Sequence, residues 1–209
     1  MRPNRLRELI NAGNTSIGTH VAISWPGIVE LIGRAGGIDY VEFVAEYSSY
    51  DLEGLDNFGR AVDLFDGLSA MIKVEQEPRT FTAGRAIGSG IQNVLFADVR
   101  TVADARECIT AVRPDTPTTK GRFGNVDRRF AGYFIEPGSP DYIKALEDVV
   151  VAFMIEKDEA VRNLEEILSV KGVDMIQFGP GDYSMSIGIS PPDASNPKVR
   201  EVEQYVVKT

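Results

Sequence analysis

The chain has 209 residues, 43% hydrophobic and 25% charged, which is enough apolar content for one sizeable core. Asp and Glu number 31 against 22 Lys and Arg, and this net charge of -9 argues against nucleic acid or an anionic membrane as partner, since both need a basic footprint. The single Cys108 excludes an internal disulfide framework, and no apolar stretch approaches the roughly 18–20 residues of a membrane span. A cytoplasmic globular protein is the expectation.

Strand-like and helix-like segments alternate along the chain. Residues 4–12 read as a helix and 16–23 as a first strand, with His20, the only histidine, near its end. Trp25 follows, at the mouth of the first strand-to-helix loop. Pro26 suits the first turn of a helix over 26–35, and Gly36-Gly37 ends it. A second strand is predicted over 38–45, a helix over 55–65, a third strand over 68–74 and a helix over 79–88. A fourth strand covers 93–97 and a helix 102–112, with Cys108 on its apolar face. Residues 113–129 are rich in Pro, Thr, Gly and Arg, and within them 119–123 read as a short fifth strand inside a functional loop. A helix over 141–148 leads to the apolar strand 149–155, a helix over 157–172 to the strand 173–178, and residues 196–208 form a last helix.

That is a βα register repeated about seven times, with strands apolar on both faces, as in a parallel sheet covered by helices. No dinucleotide fingerprint is present, so a single (β/α) TIM-type barrel domain over 1–209 is favoured over a doubly wound sheet. Such a barrel needs eight strands, and this register lacks the eighth, as though truncated on its C-terminal side. The strand edges left open need cover, which points to a homo-oligomer, a trimer or hexamer.

Two acids stand where strands run out. Glu156 closes the run ending at Ile155, and Asp182 follows Phe178 through the turn Gly179-Pro180-Gly181. In a parallel α/β sheet the carboxyl ends of neighbouring strands lie side by side, and sites are built on that edge. Two carboxylates there, in a chain with one histidine, suggest a hard divalent cation, Mg²⁺ or Mn²⁺. The same position gives His20 a part in substrate contact or proton transfer. Asp98, at the end of the fourth strand, is expected to pair with Arg100 or Arg122.

The stretch Phe153-Met154-Ile155-Glu156, then Ala160 to Ile167, Gly172-Val173-Asp174 and Phe178-Gly179-Pro180-Gly181-Asp182-Tyr183-Ser184 resembles the HpcH/HpaI aldolase family, class II metal-dependent pyruvate aldolases on a TIM barrel, related to the citrate lyase β-subunit superfamily. The resemblance implies that Glu156 and Asp182 are the metal ligands. It also implies that backbone N–H groups of Gly179, Gly181 and Asp182 hold the keto-acid carboxylate, and that the Lys120-Gly121 loop, where the family has Arg-Gly, takes part in substrate binding. Where the family has Asp-Gly-Glu-His after its second strand, this chain has Val44-Ala45-Glu46-Tyr47. Lys73 stands for the arginine that steadies the enolate oxygen, and Met154 for a glutamine. Tyr47, Lys73 and His20 are thus the catalytic candidates, and Trp25 a residue shaping the pocket. Lys73 is read as a cationic clamp, with Schiff-base chemistry as its alternative. The implied activity is aldol cleavage or condensation of a 4-hydroxy-2-oxo acid, giving pyruvate and an aldehyde. An acyl-CoA lyase and a keto-acid-binding homologue with little turnover are the alternatives.

Overall fold

Six short strands, all parallel, stand side by side in chain order: β1 Gly18–Val21, β2 Tyr40–Val44, β3 Ser69–Val74, β4 Asn93–Phe96, β5 Val150–Ile155 and β6 Met175–Phe178. In the computed structural model, which describes residues 1–209, each strand is followed by helix: α2 Pro26–Ala35, α3 Leu52–Val62, α4 Arg79–Gly88, α5 Val102–Val112, then α6 Pro140–Glu147 before β5, and α7 Asp158–Arg162, α8 Leu164–Leu168, α9 Pro180–Ser186 and α10 Pro197–Lys208. β3 and β5 are buried along their whole length, as strands covered on both faces must be.

Side chains alternate across the sheet. Val41, Phe43, Ile72, Val94, Phe96, Val151 and Phe153 point outward into the main core against the helices. Met71, Leu95, Ala152 and Met154 point inward and form a second, smaller apolar cluster. The sheet is strongly curled. Gln177 on β6 donates its amide Nε2–H to Oε2 of Glu42 on β2 at 2.8 Å, although four strand spacings of a flat sheet would hold them about 19 Å apart. The architecture is therefore the open part of a TIM-type barrel.

Helix α1, Arg5–Asn11, closes the interior at the amino ends of the strands. Leu6 inserts into the inner cluster and its N–H donates to Ser69 Oγ at 3.1 Å. Asn4 donates to Asn93 Oδ1 and to the Asp148 carbonyl. Arg7 makes a two-pronged pair with Asp174, 2.6 Å on each prong, and also reaches the carbonyls of Asp148 and Val149.

Three expectations change. Residues 119–123 form no strand; one parallel bridge, Pro114 to Phe123, is all that is there. Proline at 114 and 117 and the left-handed backbone of Lys120 (φ 52°) interrupt any extended run. The sheet thus has six strands rather than seven, and Glu156 follows the fifth. The helix expected over 157–172 is two short helices broken at Asn163, whose side-chain Nδ2–H donates to the Arg100 carbonyl at 2.9 Å. The Gly179-Pro180-Gly181 turn is the start of α9, with Pro180 in the first turn, where its missing N–H is no loss.

Candidate active site

Four strand ends build the charged mouth of the barrel. At the end of β2 the chain turns at once into a 3₁₀ turn, Ala45–Tyr47, held by the Ser48 hydroxyl, which donates to the carbonyls of Ala22 and Val44. The turn aims Glu46 and Tyr47 at Lys73 on β3. The Lys73 ammonium is 2.6 Å from Glu46 Oε2, donates to Tyr47 Oη at 2.7 Å and lies 4.5 Å from the Tyr47 ring centre. Burial alone would depress this ammonium. The hydrogen bonds to Glu46 and Tyr47 and the charges of Glu156 and Glu46 outweigh it, so the pKa of Lys73 is raised. Raised in this way, the ammonium stays charged at neutral pH, the state a cationic clamp requires. Tyr47 is itself raised, by desolvation first and by Glu46, against the opposing pull of Lys73, so it stands as a phenol.

Glu156 follows β5 and is 4% exposed. Its Oε1 accepts the backbone N–H of Asp98 at 2.9 Å. Asp98 adopts a left-handed backbone (φ 52°), and its carboxylate is taken up by Arg100 at 2.7 and 2.8 Å, as one of the two expected pairs. Burial raises the Glu156 pKa, and Asp182 and Glu46 add to it; the Asp98 N–H and Lys73 act in the other direction. Asp182 lies in the first turn of α9 and pairs with Lys157 Nζ at 2.7 Å. Gly179 passes directly behind Glu156: a Cβ there would stand 2.7 Å from the Glu156 Cβ. The N–H of Gly179 donates to the Ile155 carbonyl at 3.0 Å, which leaves Gly181 and Asp182 as the N–H donors of that segment without a helical partner.

Not every candidate joins this group. His20 lies 68% exposed with Nε2 3.2 Å from the buried Glu42, and no hydrogen bond links it to Lys73, Tyr47 or Glu156. Trp25 is 59% exposed at the start of α2, its ring lying over Gly27, where any side chain would collide with it. Lys120 and Gly121 are at the other end of the barrel. Their loop is bound to the end of α5 through Arg122 N–H to the Thr110 carbonyl and Gly121 N–H to the Pro114 carbonyl, and Arg113 ties it to the carbonyls of Leu146 and Val149 where β5 begins. A substrate at Glu156 is beyond their reach. Sequence reasoning overlooked Lys157 and the Asp98 N–H. The first had a visible signal, a cation placed directly after a strand-end acid; the second depends on backbone geometry alone.

Two carboxylates, not three, converge: no group of three His, Cys, Asp or Glu residues is placed to hold a metal ion. The donors are all oxygen, one of them buried with no ion pair of its own short of Lys73.

Comparison with known proteins sets this geometry in context. Residues 61–209 match the family model described as HpcH/HpaI aldolase/citrate lyase. A 4-hydroxy-2-oxovalerate aldolase of Novosphingobium aromaticivorans is 27% identical over 89% of this chain and 68% of its own length. A 4-hydroxy-2-oxo-heptane-1,7-dioate aldolase of Escherichia coli is 27% identical over 97% of this chain and 74% of its own. Among solved structures, an HpcH/HpaI aldolase/citrate lyase family protein of Burkholderia cenocepacia superposes with a TM-score of 0.88 at 23% identity, covering 99% of this chain and 80% of that one. The HpcH/HpaI aldolase of Desulfitobacterium hafniense gives 0.84 at 25% identity over 97% and 76%. With the model matched across most of its length and the barrel shared, this chain belongs to the HpcH/HpaI aldolase/citrate lyase family.

Proposed function

We propose that this chain is a carbon–carbon lyase that cleaves a 4-hydroxy-2-oxo acid into pyruvate and an aldehyde, or runs the condensation, with Mg²⁺ or Mn²⁺ held by Glu156 and Asp182. The observation that carries the reading is the convergence of Lys73, Glu156 and Asp182 at the carboxyl ends of β3, β5 and β6. The names of the aldolase relatives support the reaction class.

The donor set fits a hard divalent cation. Glu156 is a buried carboxylate disfavoured by desolvation and by Asp182, the situation that a shared cation relieves. Only two protein oxygens are supplied, which suits Mg²⁺ because it retains several non-protein oxygens around it. When bound, the cation would polarise the 2-keto oxygen of the substrate as a Lewis acid.

The chain's own residues do the rest. Lys73, kept charged by Glu46 and Tyr47, stabilises the negative charge that develops on the enolate as the carbon–carbon bond breaks. The N–H groups of Gly181 and Asp182 hold the substrate carboxylate. Tyr47 accepts from Lys73 and is hydrogen-bonded to Glu46 as well, which fixes its hydroxyl at the edge of the mouth to meet a substrate oxygen. Tyr47 or His20 would relay the proton of the aldol hydroxyl, Tyr47 from within the Lys73 cluster and His20 from outside it. Self-association belongs to the same reading, supported by the unpaired outer edges of β1 and β6; sedimentation at micromolar concentration measures it.

The test is pyruvate release from 4-hydroxy-2-oxopentanoate and 4-hydroxy-2-oxoheptane-1,7-dioate with Mg²⁺ or Mn²⁺. Turnover of either substrate supports the proposal. Failure with both, together with failure to condense pyruvate with a panel of aldehydes, rejects it.

A further inference from the structure

Away from the strand ends, a cleft of about 250 Å³ lies between the outer surface of α4, the end of α5 and the loop 122–128. Phe81, Phe123 and Val126 line it together with three arginines, Arg85, Arg122 and Arg128. In a chain of net charge -9, most arginines are neutralised by a carboxylate, yet none of these three makes an ion pair. The side chains of Arg85, Arg122 and Arg128 also donate no hydrogen bond to protein. Two features hold the cations in place. The Arg85 guanidinium lies 5.1 Å from the Phe81 ring centre, so the ring backs the cation. Gly88 has no side chain, and the stem of Arg128 packs against α4 where a Cβ would collide with it.

The loop that supplies the other wall is pinned as well. The N–H of Arg122 donates to the Thr110 carbonyl at 2.7 Å and that of Phe123 to the Arg113 carbonyl at 3.0 Å. Holding Arg85 and Arg128 near each other carries a penalty: burial and the charge of Arg85 both lower the pKa of Arg128, against the opposing pull of Asp56. Asp56 lies in the neighbouring hollow beyond Arg85 and Arg128, with Asp127, and accepts a bond from the Ser89 hydroxyl at 2.5 Å. Like charges held together over an apolar floor are what an incoming anion relieves.

We infer that this cleft is a second ligand site, for a small organic anion bearing two or more carboxylate or phosphate groups on a compact apolar or aromatic body. The guanidinium forks of Arg85, Arg122 and Arg128 match planar oxyanions two bonds at a time, which a lysine cannot do. Phe81, Phe123 and Val126 take the apolar body. The site is independent of the reaction assigned to the strand ends, and none of its residues belongs to that machinery.

Calorimetric titration of the full chain with inorganic pyrophosphate and with benzene-1,2-dicarboxylate tests it, at physiological salt. One site per chain with Kd below about 1 mM is expected for at least one probe, and the tighter of the two names the phosphorylated or the polycarboxylate source. Arg85→Gln or Arg122→Gln weakens that binding about tenfold, as loss of one charge-assisted contact does. Arg122 is exposed and bonds no protein group through its side chain, so its variant keeps the fold even if Arg85→Gln does not. Phe81→Ala weakens the dicarboxylate more than it weakens pyrophosphate, and Lys73→Gln changes neither. Absence of binding by both probes overturns the inference. So does binding that survives Arg122→Gln, or that is lost with Lys73→Gln, which would assign the anion to the strand ends.

Discussion

The two ends of the barrel interior use the same kinds of residue to opposite effect. At the amino ends, Asn4, Arg7, Asn93, Arg113 and Asp174 are matched donor to acceptor, with Arg7 and Asp174 closing a two-pronged pair and α1 sealing the opening. At the carboxyl ends, one ammonium, Lys73, serves Glu46, Tyr47 and, at longer range, Glu156, while Glu156 itself holds a single backbone N–H. Buried polar groups that are fully paired specify and rigidify; buried charges left partly paired keep capacity for a ligand. The amino end therefore reads as stability and the carboxyl end as chemistry, the division seen in barrels of this type.

Substitutions at each end should separate the two roles. The largest effect is expected from Glu156→Ala, which should lower kcat/KM for the cleaved 4-hydroxy-2-oxo acid by about 10³ with little change in thermal stability. A loss of fold on the same scale would mean that the mouth is structural after all. Next, Lys73→Ala should lower kcat by about 10², and Lys73→Arg should retain most of it. Because the Lys73 pKa is raised, its ammonium persists through neutral pH, and rates dependent on it fall only as pH climbs above its ordinary value near 10.5. A lysine-dependent limb below pH 9 in the rate profile contradicts this.

At the other end, Arg7→Ala should destabilise the fold by about 3 kcal/mol in urea, since it leaves Asp174 with the Val151 N–H and the more distant Arg113, while the folded fraction keeps its kcat/KM within twofold. The smallest effect concerns pH. The native state binds the Glu156 proton more tightly than the unfolded chain does, so stability contributed there declines as pH rises from about 4.5 through the raised pKa. In EDTA, Glu156→Gln should accordingly melt higher than the parent at pH 7, with the gap closing toward pH 4.5. Identical melting curves across that range speak against a desolvated carboxylate.

Where local chemistry decides, the sequence was legible. α2, α4 and α5 begin and end at the predicted residues, α5 because Thr101 and Asp104 form a reciprocal cap and α2 because Pro26 opens it and Gly36 ends it. The acids Glu156 and Asp182 were visible as residues that end strands. Features set by distant partners were not. The break at Asn163 depends on the Arg100 carbonyl, and the placing of Lys120-Gly121 on the contacts of Arg113 with β5. The apparent strand at 119–123 has the right apolar content but an incompatible backbone at Lys120. His20, a candidate by its place near the end of the first strand, has Glu42 as its partner, one layer below the Lys73 cluster.

The central claim is that Glu156 and Asp182 form a divalent-cation site at the carboxyl end of the barrel. Calorimetric titration of Mn²⁺ into the wild type, Glu156→Ala and Asp182→Ala tests it most directly. One Mn²⁺ per chain is predicted for the wild type, with affinity at least tenfold weaker in either variant. Undiminished Mn²⁺ affinity in Glu156→Ala would contradict the account.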